Sequence, residues 1–585
     1  MTINEYYTQE LRALRDLGAE FSEKNPGLST FLSRKVQDPD VERLLEGFAF
    51  LTGRLRQYLD QELPEISHTL AQVLWPNFLR PIPSYSILQY NPIDTQDSIV
   101  IPKGEEVLAE HPKNNTKCIF TTCYETEVMP INLDSATYHE HGENGVIELS
   151  FSLNTNNINL KDISFDKLRF YIGDHEQLSE ILYLYLTYYV EQVEIILENR
   201  PHEGKITNGY FKKVGFSEDE QILPLSKNTF LGHALLQEFF AYREKFFFLD
   251  LENISLNSLF SEKELEKSRF FSIKITLTEK LKSKKTIDKD NFKLYCTPIV
   301  NIFETEAIPI SKNLEEEYEV IPASAPYQES EVYALQTVHG WDSRDSNYCK
   351  YLPFEFFEHG AKNTEYYQTM VKLSEDQERT KTFIRFGISS DTEAIYEGTK
   401  TVSIDILATN RNLPSLLEVG SISTPGSTTI ISSVQFQNIT IPTKSYIPPI
   451  SGDFLWRIIS NMTQNYLALD NIEILRNILE AYDFIGVSNL LQKKHTTSIL
   501  KGLKSISHVT YDRIYKGLPI RGTKTKLMLN SKNFSSLGEA YLFATILDDF
   551  FALYCSINTF HEFEVVIDQK AKFSWEPRIG GVSLG

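Results

Sequence analysis

The spacing of hydrophobic residues changes twice along the 585-residue chain, and this constrains the fold more than any other sequence feature. Up to about residue 80, apolar residues recur every three or four positions, the period of an amphipathic α-helix. From Pro81 to about residue 450, short alternating runs between Pro and Gly predict β-strands. Helical spacing returns after Gly452. The pattern predicts a multi-domain α+β protein with a helical N-terminal segment, a β-rich middle and a mixed helical and strand C-terminal unit.

The length predicts about four structural units, at roughly 150 residues each. The expected units are an N-terminal helical segment over 1–80, a β-rich domain with an inserted helix over 81–315, a second β-rich domain over 316–450 and a C-terminal α+β unit over 451–585. The inserted helix is predicted over 178–197. The stretch 441–452 contains three Pro and one Gly, which is typical of a domain boundary crossed by few contacts.

The N-terminal segment predicts three amphipathic helices, of which the second offers a broad apolar face. The first runs from about Tyr7 to Phe21, the second begins at Pro39 and the third begins at Pro64. Near the other end, the stretch 541–554 is apolar around most of a helix and must be buried on every side. Each helix is expected to complete either its own domain core or a contact with another chain. The candidate partner-interface residues are Leu44, Phe48, Leu51, Leu55, Phe543, Leu547 and Phe550.

Charge and composition exclude several classes of partner. The chain has 58 basic and 79 acidic residues and a net charge of −21, so nucleic acid and anionic membrane surfaces would repel it. The N-terminus lacks the pattern of a signal peptide, and the longest apolar run, 181–190, is about half of the ~20 residues that span a bilayer. The five scattered cysteines fit reduced thiols. We therefore expect a cytoplasmic protein without membrane insertion.

No catalytic motif survives inspection, so neither an enzymatic activity nor a cofactor or metal is expected. His139 and His141 could share one face of a strand, but no third ligand follows at a useful spacing. The basic stretch 280–285 is interpreted as a solvated loop. Asp548 and Asp549 are adjacent on a predicted helix and are expected to face different ways.

Several long blocks, in fixed order, resemble TssF, the family of baseplate subunits of bacterial type VI secretion systems (also called VasA or ImpG). The resemblance runs nearly from end to end. The blocks cover residues 5–21, 38–51, 74–84, 235–246, 296–303, 409–414, 542–551 and 575–578.

This resemblance implies a structural role. TssF-like proteins pair as two copies with one TssG to form a baseplate wedge. Wedges of this kind hold TssK adaptors, surround a hub and spike and carry the sheath, so that TssE, VgrG, TssB and TssC are further expected partners in the assembled machine. They lie in the cytoplasm and dock at the inner-membrane complex.

A different class of function stays open on the residues alone. Abundant strands, acidity and aromatic residues would also suit a carbohydrate-active enzyme, in which two carboxylates lie in an aromatic-lined cleft. Such a cleft would favour the enzyme, whereas a chain that associates or precipitates without a partner would favour the scaffold.

Overall fold

The computed structural model describes residues 7–8, 11–12, 14, 39–93, 95–110, 116–200, 203–224, 231–283, 285–312, 315–324, 326–342, 347–354, 365–374, 378–388, 400–426, 434–450, 471–515, 518–552, 559–568 and 571–579. Within this part, the α-helices are α1 Pro39–Leu74, α2 Glu176–Tyr188, α3 Leu231–Ala241, α4 Leu256–Leu259, α5 Glu262–Glu266, α6 Ile472–Glu480, α7 Phe484–Ser488, α8 Leu490–Gly502 and α9 Leu537–Ala552. Tyr7, Leu11 and Leu14 are also helical, as expected for the first helix, whereas Phe21 lies outside the described residues.

Strands fill most of the chain between α1 and α6. Those before residue 300 are β1 Tyr85–Pro92, β2 Ile99–Ile101, β3 Glu106–Glu110, β4 Lys117–Thr122, β5 Thr126–Val128, β6 Ile131–His141, β7 Asn144–Leu153, β8 Lys167–Tyr171, β9 Val190–Leu197, β10 Lys205–Thr207, β11 Tyr210–Lys213, β12 Phe248–Glu252, β13 Phe270–Leu277, β14 Lys293–Leu294 and β15 Cys296–Val300. The later ones are β16 Phe303–Glu306, β17 Ile310–Lys312, β18 Tyr318–Glu319, β19 Glu331–Asp342, β20 Asn347–Pro353, β21 Glu365–Leu373, β22 Thr380–Ile388, β23 Lys400–Thr409, β24 Thr424–Pro425, β25 Val434–Asn438, β26 Leu503–Tyr515, β27 Leu518–Leu529, β28 Phe560–Ile567, β29 Ala571–Ser574 and β30 Arg578–Ile579. The predicted α+β class is confirmed.

The strands form five larger sheets and one two-stranded pair. Their orders are β24-β3-β4-β15-β1-β25, β10-β9-β13-β7-β6, β11-β12-β8-β14, β16-β23-β19-β20-β21-β22-β18 with β17 on β23, β2-β5, and β26-β27-β28-β29 with β30 on β28. Most neighbours are antiparallel, but β20 pairs with β21, and β27 with β28, in parallel. The predicted alternation is clear in β7, where every second residue is buried.

Two predicted helix boundaries are wrong. A separate third helix was expected from Pro64, but α1 continues through that residue to Leu74. Proline inside a helix costs about 3 kcal/mol. Ala71 near the C-terminal end of α1 and Trp75 directly after it are buried. The helix predicted over 178–197 ends at Tyr188, and β9 follows. In β9 Val193, Ile195 and Leu197 are buried while their neighbours are not, and this two-residue period matches a strand.

The described residues on the two sides of the predicted boundary at 441–452 share one core. The Thr443 amide donates to the Tyr85 carbonyl at 2.9 Å, and Ile82 pairs with Tyr446 across an antiparallel bridge. Helix α9 packs on α2 and α3, and its buried residues belong to the same hydrophobic cluster as β1 and β12. The C-terminal unit therefore completes the core of the first β-rich domain.

The second β-rich region has its own core but different limits from those expected. The eight-stranded sheet encloses a separate cluster that includes Val338, Tyr351 and Ile404. It begins at β16 and ends with β23, after which β24 and β25 return to the sheet of β1. The region is thus inserted between two halves of the first sheet, because β25 pairs with β1 in place of a neighbour close in sequence.

Two buried asparagines tie together the points where the chain enters and leaves this insertion. The Asn301 side-chain amide donates to Oδ1 of Asn410 at 2.9 Å, and the backbone N–H of Asn410 donates to Oδ1 of Asn301 at 2.7 Å. Both side chains are fully buried, where satisfied hydrogen bonds are required. The sequence blocks 296–303 and 409–414, which carry part of the resemblance, meet here. The pairing holds the two sheets in a fixed relation.

Candidate partner interface

One face of the N-terminal half of α1 is apolar and bare. Leu44, Phe48 and Leu51 are exposed by 74%, 58% and 64% of their surface. They follow one another at intervals of four and three residues, which places them on one stripe of the helix, the spacing by which helices pack against each other. Leu55 continues this spacing, but its side chain falls outside the described residues. Contiguous exposed apolar surface of this kind is typical of protein contacts.

The rest of the same apolar face is covered by the chain itself. Ala49 is fully buried, and Val41 and Leu45 are half-buried. At 100° per residue, these three lie on the side of α1 adjoining the Leu44, Phe48 and Leu51 stripe. The broad face predicted from the sequence is therefore divided, with one side packed and the other side left open.

The C-terminal half of α1 is fixed to the body of the protein. Ala71 packs with Leu79 and Ile450, and the Gln368 side chain on β21 donates to Thr69 Oγ1 at 2.8 Å. Just after α1, Trp75 is fully buried against Phe78, with ring centroids 4.3 Å apart. The bare stripe is thus presented by a helix whose far end is anchored in the core.

The other three candidates, Phe543, Leu547 and Phe550, are buried inside the chain. None of them has exposed surface. The Phe543 ring lies 5.5 Å from that of Phe239 on α3, and the Phe550 ring lies 5.7 Å from that of His233. The alternative of an ordinary core helix explains these three residues. A helix that is apolar on every side must be buried on every side, and α2 and α3 pack against it. Their assignment as partner contacts is corrected here.

A charged cluster that sequence inspection missed joins these helices. The Arg243 guanidinium donates to Glu539 at 2.8 Å and lies 3.4 Å from Glu180. His495 on α8 contacts the same Glu539 oxygen at 2.7 Å, and Ser535 and Ser536 donate to Glu180. Both carboxylates are fully buried. Because its members come from four distant segments, no local motif could have revealed this cluster; Arg243 alone lies in a block that carries the resemblance.

The two carboxyls of this cluster have opposite pKa shifts. Burial and the neighbouring Glu539 charge raise the pKa of Glu180 to about 7. Hydrogen bonding from His495 and the charge of Arg243 outweigh burial at Glu539 and lower its pKa to about 2. At neutral pH Glu539 is the ionised partner of Arg243, while Glu180 titrates.

Glu180→Gln is expected to stabilise the protein increasingly as pH rises. The ordinary pKa of 4.5 is raised to about 7 in the folded chain, so the folded state holds a proton that the unfolded state releases between these values. The contribution of Glu180 to the free energy of unfolding is therefore most favourable below pH 4.5 and is lost as the pH rises to about 7. Glutamine is neutral throughout and removes that loss. Denaturant unfolding at pH 5 and pH 8 should show a relative gain of up to about 3 kcal/mol; an equal difference at both pH values would contradict the pKa shift.

Gly538→Ala is expected to destabilise the junction between α9 and α2. A Cβ at this position would lie 2.0 Å from the Glu180 carbonyl oxygen, which is backbone and cannot rotate away. We expect a loss of roughly 1–3 kcal/mol, measured by thermal unfolding. Gly47→Ala is the matched control in α1, since nothing lies within 4 Å of its Cβ and it should gain about 0.5–1 kcal/mol of helix propensity. Equal effects at both positions would show that α9 does not approach α2 so closely.

Asp548 and Asp549 converge, contrary to the expectation that they face different ways. Arg578 Nη2 lies 2.9 Å from Asp548, and its Nη1 donates to Asp549. The planar fork of one guanidinium spans both carboxylates, which adjacent helical positions can reach by rotating their side chains. Burial raises the pKa of Asp548 to about 6. These ion pairs of Arg578 therefore attach residues 575–578 to α9, and they give no support to a catalytic role for the two aspartates.

The other chemical candidates have structural explanations. Glu140, between His139 and His141, pairs with Lys280 at 3.0 Å, and no group of three metal-ligating side chains lies among the described residues. Burial raises the pKa of the Cys118 and Cys123 thiols to about 12, which makes them unreactive. No helix in the described ranges is long and apolar enough to cross a membrane.

One cleft of about 480 Å³ lies between the first sheet and the inserted one. Its lining includes Glu106, Glu218 and Glu304, but Phe303 is its one aromatic residue among those described. Among the described residues, this cavity therefore lacks the aromatic lining that would favour the carbohydrate-active alternative.

Comparison with known proteins gives similarity along the whole chain. The family model for "Type VI secretion system, TssF" matches residues 1–582. The type VI secretion system component TssF1 of Pseudomonas aeruginosa is 26% identical over 609 aligned residues, covering 95% of each protein. A chain of a TssK-TssF-TssG baseplate subcomplex solved by cryo-electron microscopy has a TM-score of 0.75 at 26% identity, covering 92% of this chain and 100% of that one. A chain of a type VI secretion baseplate complex has a TM-score of 0.65 at 25% identity, with both chains fully covered.

Proposed function

Because the chain belongs to the TssF family of type VI secretion system baseplate subunits, we propose that two copies of it assemble with one TssG-family protein into a wedge of the baseplate. The observation that carries this proposal is the bare stripe of Leu44, Phe48 and Leu51 on α1. A helical or extended segment of TssG, or the equivalent α1 of the second copy, would cover it.

The proposed role is mechanical. A baseplate subunit must pass force between partners, which requires large packed interfaces and rigid bodies. Here α9 shares a core with α2 and α3, the Arg243 cluster links four segments, and Asn301 with Asn410 fixes the inserted sheet. A load applied at α1 would therefore reach the β-rich sheets through packed elements.

The further partners follow from the same assignment. TssK and TssG are named with TssF in the similar subcomplex, and we propose that this chain contacts both. In the assembled machine the wedge would surround the hub and spike and carry the sheath, with TssE, VgrG, TssB and TssC as neighbours. Assembly would take place in the cytoplasm, docked at the inner-membrane complex, with no role in catalysis.

Co-expression with the TssG- and TssK-family proteins of the same organism tests the proposal. Native mass spectrometry of the affinity-purified complex should give two copies of this chain for each TssG. The Glu106→Gln variant, altered in the described cleft, is the matched control and should assemble at the same ratio. A chain that remains a monodisperse monomer beside both partners would overturn the assignment.

A further inference from the structure

The hairpin of β26 and β27 extends beyond the sheet to which it belongs. The two strands pair along their whole length, from Leu503 with Leu529 to Tyr515 with Leu518. The next strand, β28, begins to pair with β27 only at Gly522. Residues 512–515 of β26 and 518–521 of β27, here called the ribbon arm, therefore have no second neighbour among the described strands. A two-stranded ribbon standing alone is marginally stable in water.

The base of the ribbon arm is held firmly. The Phe560 ring lies over Gly522, where a Cβ would come within 2.4 Å of it. Tyr511, opposite Gly522, packs edge-on against Phe560 with centroids 5.0 Å apart, and its hydroxyl donates to Glu562. The packed residues at its base therefore fix the direction of the ribbon arm.

The two edges of this hairpin differ. Strand β26 is the outermost strand of the described sheet and contains no proline over its 13 residues. On β27, Pro519 removes a hydrogen-bond donor within the ribbon arm, a common way to block an edge. The Leu503 carbonyl accepts from Arg476 on α6. Beyond that residue, outward-facing N–H and C=O groups make β26 a template for another strand.

The hairpin is also a basic region in an acidic chain. Residues 503–529 carry six Lys or Arg and a single acid, Asp512, although the whole chain carries more acids than bases. Lys524 and Lys526 pair with Glu562 and Glu564 on β28. Arg513 and Arg521 are exposed near the tip. Val509 and Ile514 on β26 are also bare, with 60% and 75% of their surface exposed.

We propose that the free edge of β26 receives an extended, acidic segment of a partner protein, which adds to the sheet as a strand. Backbone hydrogen bonds along β26 would supply affinity, while carboxylates beside Arg513 and apolar side chains beside Val509 and Ile514 would supply specificity. This surface is separate from the stripe on α1.

Two other occupants fit less well. In antiparallel pairing of β26 with the same strand of a second copy, the register centred between His508 and Val509 would bring Lys504 opposite Arg513, and like charges in that position are destabilising. A single nucleic-acid strand needs free aromatic faces for base stacking, whereas the Tyr511 ring already packs on Phe560 and its hydroxyl bonds Glu562.

The test measures fluorescence anisotropy of labelled probes with the full chain. The probes are a ten-residue peptide that alternates glutamate with threonine and valine, the same peptide with lysine in place of glutamate, and a twelve-nucleotide thymidine strand. Arg513→Glu changes the edge, and Lys282→Glu is the matched control on an exposed loop. Val509→Pro and Thr510→Pro test backbone pairing, because successive strand residues point their N–H groups in opposite directions. The proline variant that keeps the wild-type melting temperature is the one that alters the outer edge.

Saturable binding of the acidic peptide is expected, weakened at least tenfold by Arg513→Glu and by the correctly folded proline variant, with Lys282→Glu unchanged. The lysine peptide should not bind. The proposal is overturned if the acidic peptide does not bind, if both peptides bind equally, if neither edge variant has an effect, or if the thymidine strand binds more tightly than the acidic peptide.

Discussion

Replacing Phe48 by Asp is expected to abolish assembly with the TssG-family partner while leaving the chain folded. Phe48 lies at the centre of the bare α1 stripe. In the free chain the new carboxylate faces water and costs little, so the melting temperature should stay within about 2 °C. In the complex it would be buried without a counter-charge, which costs several kcal/mol. Co-purification and thermal unfolding together measure both effects.

Phe50→Asp is the matched control for this experiment. Phe50 is also an exposed aromatic residue of α1, with 46% of its surface bare, but two residues further on it points to the opposite side of the helix. The control should bind normally. If Phe48→Asp unfolds the free chain, the stripe is covered within the protein; if both variants bind alike, the partner uses another surface.

Truncation after Gly452 is expected to unfold the remaining chain. A domain boundary at 441–452 would instead leave the N-terminal part folded, but α9 covers α2 and α3. Removing it exposes the buried rings of Tyr183 and Phe239, which pack against Tyr541 and Phe543 of α9. Limited proteolysis and circular dichroism should show loss of protected structure rather than a resistant fragment.

A point substitution separates this effect from the general damage of a truncation. Phe543→Ala leaves the chain intact and opens a cavity against Phe239 and Phe534, with an expected loss of about 3–5 kcal/mol. Leu491→Ala, at a position 78% exposed on α8, should change stability by less than about 0.5 kcal/mol. A stable protease-resistant fragment 1–452, or a near-neutral Phe543→Ala, would restore the view of an independent C-terminal unit.

Local periodicity predicted most of the secondary structure. The strand at Val146 and the helix at Leu537 each depend on side-chain spacing within a few residues, and both are present. Predicted ends of elements were wrong where contacts with residues distant in the sequence determine the structure. Burial at Ala71 and Trp75 accompanies the continuation of α1 through Pro64. Residues 190–197 pair with β10 and β13 and so form an inner strand of a sheet.

The long-range arrangement was beyond a single sequence. A helix apolar on all sides, such as α9, must be buried, but the pattern is the same whether the cover comes from its own chain or from a partner. The structure shows Phe239 and His233 beside it, more than 300 residues before their partners Phe543 and Phe550 in the chain. In α1, by contrast, the stripe of Leu44, Phe48 and Leu51 that periodicity identified remains uncovered among the described residues.

Hydrogen–deuterium exchange on α1 tests most directly whether this stripe is an assembly surface. Exchange of peptides spanning residues 41–54 would be measured for the chain alone and for its complex with the TssG-family partner. We predict strong additional protection of these peptides in the complex, with peptides from α9 equally protected in both states because that helix is already buried. Unchanged exchange in 41–54 alongside a formed complex would contradict the account.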